Sequence, residues 1–225
     1  MKQPSRLTLR AAALSLSIAT LLAVGAPAAH AADPIPAAQS ANVAPAAVAA
    51  ARAVVDGFHA VLLDAMKNAK KLGIKGRYAL LQPELARRFD LRLMAAIASG
   101  PAWPKASAAE RAKLVDSFDK FSVATYAAQF DSFDGQSFEV VSVAPGPRGI
   151  MMVNTRINQP NDSPVKLAYV TKQNDGGWQI VDVLVDDGIS QLAVRRSEYS
   201  SVLGQRGIPG LVSELDSKTE KLLNP

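Results

Sequence analysis

The segment at residues 177–199 most constrains the fold, because it predicts a strand that runs directly into a helix. Residues 178–185 are rich in β-branched and aromatic side chains, and the Asn-Asp-Gly-Gly sequence before them is a hairpin turn signal. One phase of this strand is wholly apolar, whereas Asp182 lies on the other phase. The apolar phase consists of Val181, Val183 and Val185. Such alternation is typical of a sheet with one dry face.

The helix that should follow this strand carries a cation on its apolar side. The sequence Asp186-Asp187-Gly188 ends the strand, and apolar residues then recur near helical spacing. The apolar stripe holds Ile189, Leu192, Ala193, Tyr199 and Leu203. Arg196 lies within the same stripe. A cation in that position needs an anion, so we expect Arg196 to meet either an external anion, which is a phosphate or an acidic partner, or the carboxylate of Asp186 or Asp187.

The first 31 residues have the form of a secretory signal peptide. Three basic residues precede an apolar run too short to span a bilayer, and a small-residue cleavage sequence ends at Ala31. We expect cleavage after Ala31, a flexible Ala/Pro-rich leader at residues 32–45, and a single domain at residues 46–225. No later apolar run of about 18 residues is evident, so we expect a soluble, exported protein in the periplasm.

Cleavage would leave a nearly neutral chain. The full sequence has 25 Lys and Arg against 20 Asp and Glu, and loss of the three basic signal residues leaves 22 against 20. This balance gives no reason to expect a nucleic-acid partner. The chain has no cysteine, which excludes disulfide bonds and a cysteine-linked lipid anchor.

Three helical patterns open the domain. The first begins at Ala46 and ends near Gly73, and the second covers residues 78–89 with Pro83 as a helix start. Asp90 is positioned to cap a short third helix. That helix holds Leu91, Met94, Ile97 and Ala98.

The longest predicted helix begins with the capping-box sequence at residues 107–110 and runs to about Phe133. Seven of the 13 aromatic residues in the chain fall between Trp103 and Phe138. On this helix they are Phe118, Phe121, Tyr126, Phe130 and Phe133. Because cores and apolar pockets are lined by the same residue types, this aromatic wall is either core or the wall of a cavity.

After residue 135 the hydrophobic period changes to alternation, which predicts an antiparallel meander with short turns. The predicted strands are residues 138–143, 150–157, 165–172 and 178–185. Their inward phases are Met151, Val153 and Ile157, then Val165, Leu167 and Tyr169, then Val181, Val183 and Val185. A last amphipathic helix begins near Ile208. The order of elements predicts an α+β fold, in which a curved antiparallel sheet of about four strands has helices packed over one face and encloses an apolar cavity.

The sequence holds no pattern expected of a metal or cofactor site. His59 lies inside a helical pattern with no nucleophile signalled nearby, so we interpret it as an ordinary helix residue. The glycine-rich sequence at residues 204–210 follows no strand and lacks the P-loop lysine, which favours a helix connector. Asp186-Asp187 could form a catalytic pair with raised pKa values, but the favourable field at a helix N-terminus explains them more simply.

Several short sequences, taken in order, carry a family likeness. They are residues 177–183, 187–190 and 196–199, together with Trp103, Glu110-Arg111, Phe118, Phe121 and residues 125–127. Their order and spacing resemble the MlaC family, also called toluene-tolerance proteins, over about residues 54–223. The versions at residues 100–103, 121–126 and 192–199 most resemble the hopanoid-associated HpnM subgroup. Asp187 stands where many members have glutamate.

The resemblance implies a periplasmic lipid carrier in an ABC-transporter-linked pathway. The implied cargo is a phospholipid or a hopanoid-type lipid, with acyl chains buried between sheet and helices and a headgroup near the mouth. The implied partners are an inner-membrane ABC transporter complex and an outer-membrane lipid-handling complex, with transient membrane contact. It implies no cofactor and no catalytic residue.

The expected lipid-contacting residues are those of the inward phases and of the two helices described above. They are Met94, Ile97, Phe118, Phe121, Met151, Val153, Leu167, Tyr169, Val181, Val183 and Val185, with Arg196 for the headgroup or for partner docking. Two other hypotheses remain open. One is an isomerase- or dehydratase-like enzyme that uses Asp182, Asp186 or Asp187, and the other is a structural partner protein with a filled core.

Overall fold

Within residues 44–186 and 188–225, which the computed structural model describes, five antiparallel strands form one open sheet in chain order. Five helices precede the sheet and one follows it. The strands are β1 (Ser137–Pro145), β2 (Ile150–Gln159), β3 (Asp162–Asn174), β4 (Gly177–Val185) and β5 (Ile189–Ser190). The helices are α1 (Pro45–Lys67), α2 (Ala69–Arg88), α3 (Leu91–Ser99), α4 (Ala102–Lys105), α5 (Ala108–Gln129) and α6 (Gln191–Leu223). The predicted α+β class is confirmed, with one short strand more than expected. The signal peptide and most of the leader lie outside the described residues.

One face of the three central strands is dry. The antiparallel register places Val153, Tyr169 and Val183 side by side on that face, and all three are buried. The other buried residues of this face are Met151, Thr155, Ile157, Leu167, Thr171, Ile180 and Val181. Each large apolar side chain buried in this way stabilises the fold by about 1.5–3 kcal/mol. Val165 and Val185, at strand ends, are only half-buried.

A β-bulge shifts the inward phase in the first part of β4. Val170 pairs with Asp182 but Thr171 pairs with Ile180, so β4 has one extra residue at Val181. As a result Ile180 is fully buried, although simple alternation places it outward. The assignment of Val181 and Val183 to the dry face is correct, and the inward phase is shifted by one residue only in the part of β4 before the bulge.

α1 packs on the dry face of the sheet. Its wholly buried stripe consists of Ala51, Val55, Phe58, Leu62 and Ala65. By length and mean hydropathy alone this helix could also cross a membrane, and it is the one such helix in the described part of the chain. The sequence-based expectation of no later candidate span is therefore wrong. The buried stripe identifies α1 as a core helix of the domain.

The predicted boundaries of the second helix are wrong. α1 ends at Lys67, and Gly73 is a break inside α2, with φ 60° and ψ −176°. Pro83 lies within α2 and not at a helix start. A proline there removes one backbone hydrogen bond. The helix persists because Leu81 and Leu85, on either side of the proline, are fully buried.

α5 ends before the position that the sequence predicts. Ser107 and Glu110 form the expected capping box at its start. The helix stops at Gln129, with Phe130 as its C-cap. Phe133 therefore lies beyond the helix, exposed, with the Lys67 ammonium 5.4 Å from the centre of its ring. The aromatic wall is thus shorter than predicted.

α6 consists of two helical halves separated at Gly207, whose φ of 62° and ψ of −164° are not helical. Pro209 follows in the first turn of the second half, where a missing N–H breaks no helical hydrogen bond. This agrees with the predicted helix start near Ile208. An ion pair spans the break, with the Arg206 guanidinium 3.0 Å from the Glu214 carboxylate. Residues from both ends of α6, such as Arg195 and Lys218, line one groove, so the break brings the two halves of the helix toward each other.

The segment between β4 and α6 differs from the prediction. Ile189 belongs to the short strand β5 and is 56% exposed, so it does not extend the apolar stripe of the helix. Ala193 is exposed as well. The helix begins at Gln191 because the Ser190 hydroxyl caps it by accepting a hydrogen bond from the Ala193 N–H.

Candidate functional site

An aromatic cluster fills the space between α1, α5 and the sheet. Phe58 lies at its centre and makes edge-to-face contacts with Phe89, Tyr126 and Tyr169, with ring centres 4.9, 5.2 and 6.4 Å apart. Such pairs add about 0.5–1.5 kcal/mol each beyond area burial. The sheet residues predicted to contact lipid therefore lie in or beside a packed core, and their role in lipid binding remains a prediction.

A buried polar pair sits inside this cluster. His59 is only 4% exposed, its Nε2 shares a 3.1 Å hydrogen bond with the Tyr169 hydroxyl, and its ring stacks on Phe138. Burial lowers the pKa of His59 from 6.5 to about 4, and the nearby Asp56 opposes this only in part. Burial likewise raises the pKa of the Tyr169 hydroxyl. Both side chains are therefore neutral at physiological pH. The sequence pattern predicts neither the burial of His59 nor its hydrogen bond to Tyr169.

Two cavities open on the helical side of the domain. The α3–α6 cleft, of about 540 Å³, lies between the α3–α4 turn and the first half of α6. The α5–α6 groove, of about 420 Å³, lies between the C-terminal half of α5 and both ends of α6. The sheet residues of the predicted site line neither of them. Both volumes fall in the range of small-molecule sites.

The α5–α6 groove combines an apolar floor with a cationic rim. Its floor includes Phe121, Ala128 and Leu222, and its rim includes Arg195, Lys218 and Lys221. No carboxylate is among the described residues that line it. The groove therefore offers apolar surface and positive charge together, which suits an amphiphile with an anionic end.

Arg195 covers part of the groove floor. Its guanidinium carbon lies 4.8 Å from the centre of the Phe121 ring, and its Nη1 lies 3.3 Å from Glu198. Lys218 forms an ion pair with Glu214 at 2.9 Å. Both acids lie outside the groove lining, and the Arg195 and Lys218 pairs are at least a quarter exposed, so they are weak and exchange readily with another anion.

The structure separates the predicted site residues into different environments. Phe121 lines the α5–α6 groove, and Phe118 and Met94 are buried. Ile97 is 40% exposed, so it does not face the interior. Arg196 lies in the α3–α6 cleft and is exposed, so its predicted place on the inner stripe of α6 is wrong.

The inward cation of α6 is Arg195. Successive helical residues differ by about 100° in direction, so an error of one residue moves a side chain to another face. No ion pair joins Arg196 to Asp186 among the described residues, and Asp187 lies outside them. Sequence analysis did not assign Lys218 and Lys221 to the site, because only the break at Gly207 brings these lysines near α5.

Asp182 is a structural carboxylate in this arrangement. It accepts hydrogen bonds from the Val183 and Leu192 N–H groups, at 2.8 and 3.2 Å, and from the Ser190 hydroxyl. These bonds join β4 to the first turn of α6. Because both of its oxygens are engaged, Asp182 is poorly placed for the general-base role of the enzyme hypothesis. Asp186 is exposed.

We expect Asp182→Asn to lower the free energy of unfolding by about 1–2 kcal/mol, because hydrogen bonds to a charged acceptor are replaced by neutral ones. Chemical denaturation measures this difference, with Asp175→Asn in an exposed turn as the matched control. Equal stabilities of the two variants would show that the Asp182 carboxylate does not hold α6.

Comparison with known proteins adds two findings. The family model described as MlaC protein matches residues 58–217. The chain is also similar to a solved phospholipid-binding protein from Ralstonia solanacearum in complex with a phospholipid. The identity is 22%, the match covers 78% of this chain and 98% of that chain, and the TM-score is 0.66. The second likeness shows a common fold.

Proposed function

Because the chain belongs to the MlaC family, we propose that it binds a phospholipid in the α5–α6 groove and transfers it between membranes. The observation that carries this proposal is the composition of the groove, which has an aromatic and aliphatic floor and three cations at its rim. A phospholipid has the same two parts, because its acyl chains are apolar and its phosphate is anionic.

The energetics of such a lipid favour this division. Each methylene removed from water contributes about 0.8 kcal/mol, so a carrier must cover the acyl chains. The phosphate must stay hydrated or meet cations, because the free energy lost on burying an unpaired charge far exceeds the free energy gained on burying a methylene. Phe121 can contact a chain while Arg195, directly over its ring, reaches a phosphate at the rim.

The Ralstonia protein supports the proposal by its fold. It was solved with a phospholipid, and its fold extends over most of this chain. The same layered arrangement of helices on one sheet is therefore able to hold such a ligand in another protein.

The setting of the activity is part of the proposal. We place the protein in the periplasm, on the strength of the signal-peptide pattern in the first 31 residues. There it exchanges lipid with an inner-membrane ABC transporter complex and an outer-membrane lipid-handling complex. A hopanoid-type lipid is the second candidate cargo, suggested by the subgroup resemblance of residues 192–199.

Organic extraction of the purified protein, followed by mass spectrometry, tests the proposal and separates the two cargoes. A phospholipid in near-stoichiometric amount is the expected result. A protein that copurifies with no lipid, takes none from vesicles and turns over a small substrate would favour the enzyme hypothesis.

We expect the combined change Arg195→Gln, Lys218→Gln and Lys221→Gln to weaken phospholipid binding by about 1–2 kcal/mol, a factor of about 5–30. The reason is the loss of three exposed ion contacts to the phosphate. Binding of a fluorescent phospholipid measures the effect.

The matched control for this variant changes Lys70, Lys71 and Lys75 to glutamine. These lysines are exposed on α2 and do not line the groove. An equal loss of affinity in both variants would mean that net charge, and not the groove, determines phospholipid binding.

A further inference from the structure

A tryptophan and two arginines form a cluster at the α3–α4 turn. Trp103 is half-buried, and the guanidinium carbons of Arg92 and Arg111 lie 5.7 and 5.6 Å from the centre of its indole ring. Arg111 is held there because its Nε donates to the Trp103 carbonyl and its Nη2 to the Pro104 carbonyl, both at 3.0 Å. Two guanidinium groups therefore lie near the indole, and that of Arg111 is held in place by hydrogen bonds.

Two more cations extend this cluster. Lys105 lies two residues after Trp103 on α4 and is exposed, and Arg196 of α6 lines the same cleft as Lys105. The Arg196 guanidinium lies over Gly100, where a Cβ atom would be only 2.9 Å from Nε. A larger residue at Gly100 would displace the Arg196 side chain. Glycine at this position therefore allows α4 and α6 to place Lys105 and Arg196 on the same surface.

One acidic residue lies nearby, but a single negative charge is outnumbered by the four cations named above. Glu110 lines the same cleft, and its Oε2 accepts hydrogen bonds from the Ser107 N–H and hydroxyl, at 2.8 Å each, which keep it in its capping position. The concentration of cations is local, because residues 44–225 hold 22 Lys and Arg against 19 Asp and Glu. The surface of Arg92, Trp103, Lys105, Arg111 and Arg196 is called the Trp103 patch below.

An exposed aliphatic residue adjoins the patch. Ile97 lies in the last turn of α3, and its carbonyl accepts a hydrogen bond from the Gly100 N–H. An amphipathic indole, long cationic side chains and an isolated aliphatic side chain are the groups that favour the boundary between water and lipid.

We propose that the Trp103 patch docks the protein on the surface of an anionic phospholipid membrane. The charges are complementary, since each Lys or Arg near such a surface contributes about 1 kcal/mol, or about fivefold in affinity. Trp and Arg also occur at protein interfaces, but lysine is depleted there, and the exposed Lys105 among these cations favours the lipid surface. The inference does not depend on which lipid the groove carries.

Vesicle flotation tests docking directly. The probes are vesicles of phosphatidylglycerol mixed with phosphatidylcholine, and vesicles of phosphatidylcholine alone. We expect the protein to float with the anionic vesicles, less so as salt rises, and not with the neutral ones. The combined change Arg92→Gln, Lys105→Gln and Arg196→Gln should weaken binding more than tenfold. These three side chains are exposed, so the variant should fold.

The glutamine variant of Lys70, Lys71 and Lys75 is again the matched control, and it should bind the anionic vesicles within about twofold of the unchanged protein. Equal losses in both variants, or no flotation of the unchanged protein, would overturn the proposal. Flotation that requires membrane proteins in the vesicles would also overturn it and would assign the patch to a protein partner.

Two further readouts separate docking from lipid carriage and from misfolding. The docking variant should retain its copurified lipid, whereas a simultaneous loss of lipid would contradict a distinct docking surface.

The chain has two tryptophans, so Trp178→Phe leaves Trp103 as the sole emitter. Its fluorescence should shift to the blue when anionic vesicles are added, and an unchanged spectrum would contradict contact with lipid.

Discussion

Lowering the pH from about 7 to about 4 is expected to destabilise the protein by about 3 kcal/mol through His59 alone. The imidazole is buried against Phe138 and hydrogen-bonded to the Tyr169 hydroxyl, so folding strongly disfavours its charged form. Its pKa is about 4 in the folded chain and about 6.5 when solvent surrounds it.

The direction follows from proton binding. Between these two pKa values the unfolded chain holds a proton on His59 and the folded chain does not, so stability falls as the pH falls. The contribution is fully present above about pH 6.5 and is lost by about pH 4. Lowered carboxylate pKa values, as at Glu84 and Glu139, add losses in the same direction at still lower pH.

Denaturant unfolding at several pH values, with His59→Gln as the comparison, isolates the histidine. Carboxylate effects are common to both proteins and cancel in the difference between their unfolding free energies. That difference should shrink as the pH is lowered from about 7 to about 4, because only the unchanged protein loses stability through the imidazole. A difference that stays constant over this range would show that the pKa of His59 is not lowered.

Most of the sheet could be predicted from the sequence because its signals are local. Alternation of apolar residues and turns rich in Gly, Pro and Asn determine strands and hairpins over a few residues. Tyr169 and Val183 are both predicted to lie on the dry face, and the register confirms that they are neighbours there. Their direct pairing needs the bulge, because an unbroken hairpin from Asn174 and Gly177 would place Asp182 opposite Tyr169. The bulge at Val181 could not be predicted, because the extra residue is one more β-branched side chain beside Ile180 and has no turn signal of its own.

The helix boundaries were less predictable because tertiary burial overrides local rules. Pro83 is a strong helix-start signal, yet the buried Leu81 and Leu85 keep α2 continuous through it. By contrast, the Gly207 break was expected, since Gly207 and Pro209 together favour an interruption and no local signal opposes it.

The two cavities could not be located from the sequence, because neither is formed by one element. The α5–α6 groove exists only when Gly207 directs the second half of α6 back toward Arg195 and Phe121. Of the residues predicted to contact lipid, Phe121 lines this groove, and the cation beside it is Arg195 and not the predicted Arg196. Both arginines fall near the same helical stripe, and only packing distinguishes adjacent residues.

The location of the lipid leads to the second large expected effect. Ala128→Trp should remove most of the copurified phospholipid while leaving the unfolding free energy nearly unchanged. Ala128 lines the open α5–α6 groove, so the indole would occupy the space proposed for acyl chain without compressing the core. Extraction with mass spectrometry and denaturant unfolding, applied to the same sample, give both quantities. Lys113→Trp adds the same side chain to an exposed position of α5 and should change neither.

The opposite pattern is expected at the dry face of the sheet. Val183 is buried beside Tyr169, so Val183→Trp overpacks the core and should cost about 1–3 kcal/mol or more, with the lipid content of the folded protein unchanged. Its neighbour Asp182 is unsuitable as a control because its carboxylate holds α6. If Val183→Trp instead lost lipid without loss of stability, while Ala128→Trp kept it, the acyl chains would lie between sheet and helices. The sequence-based assignment of the cavity would then be correct, and the α5–α6 groove would not be the lipid site.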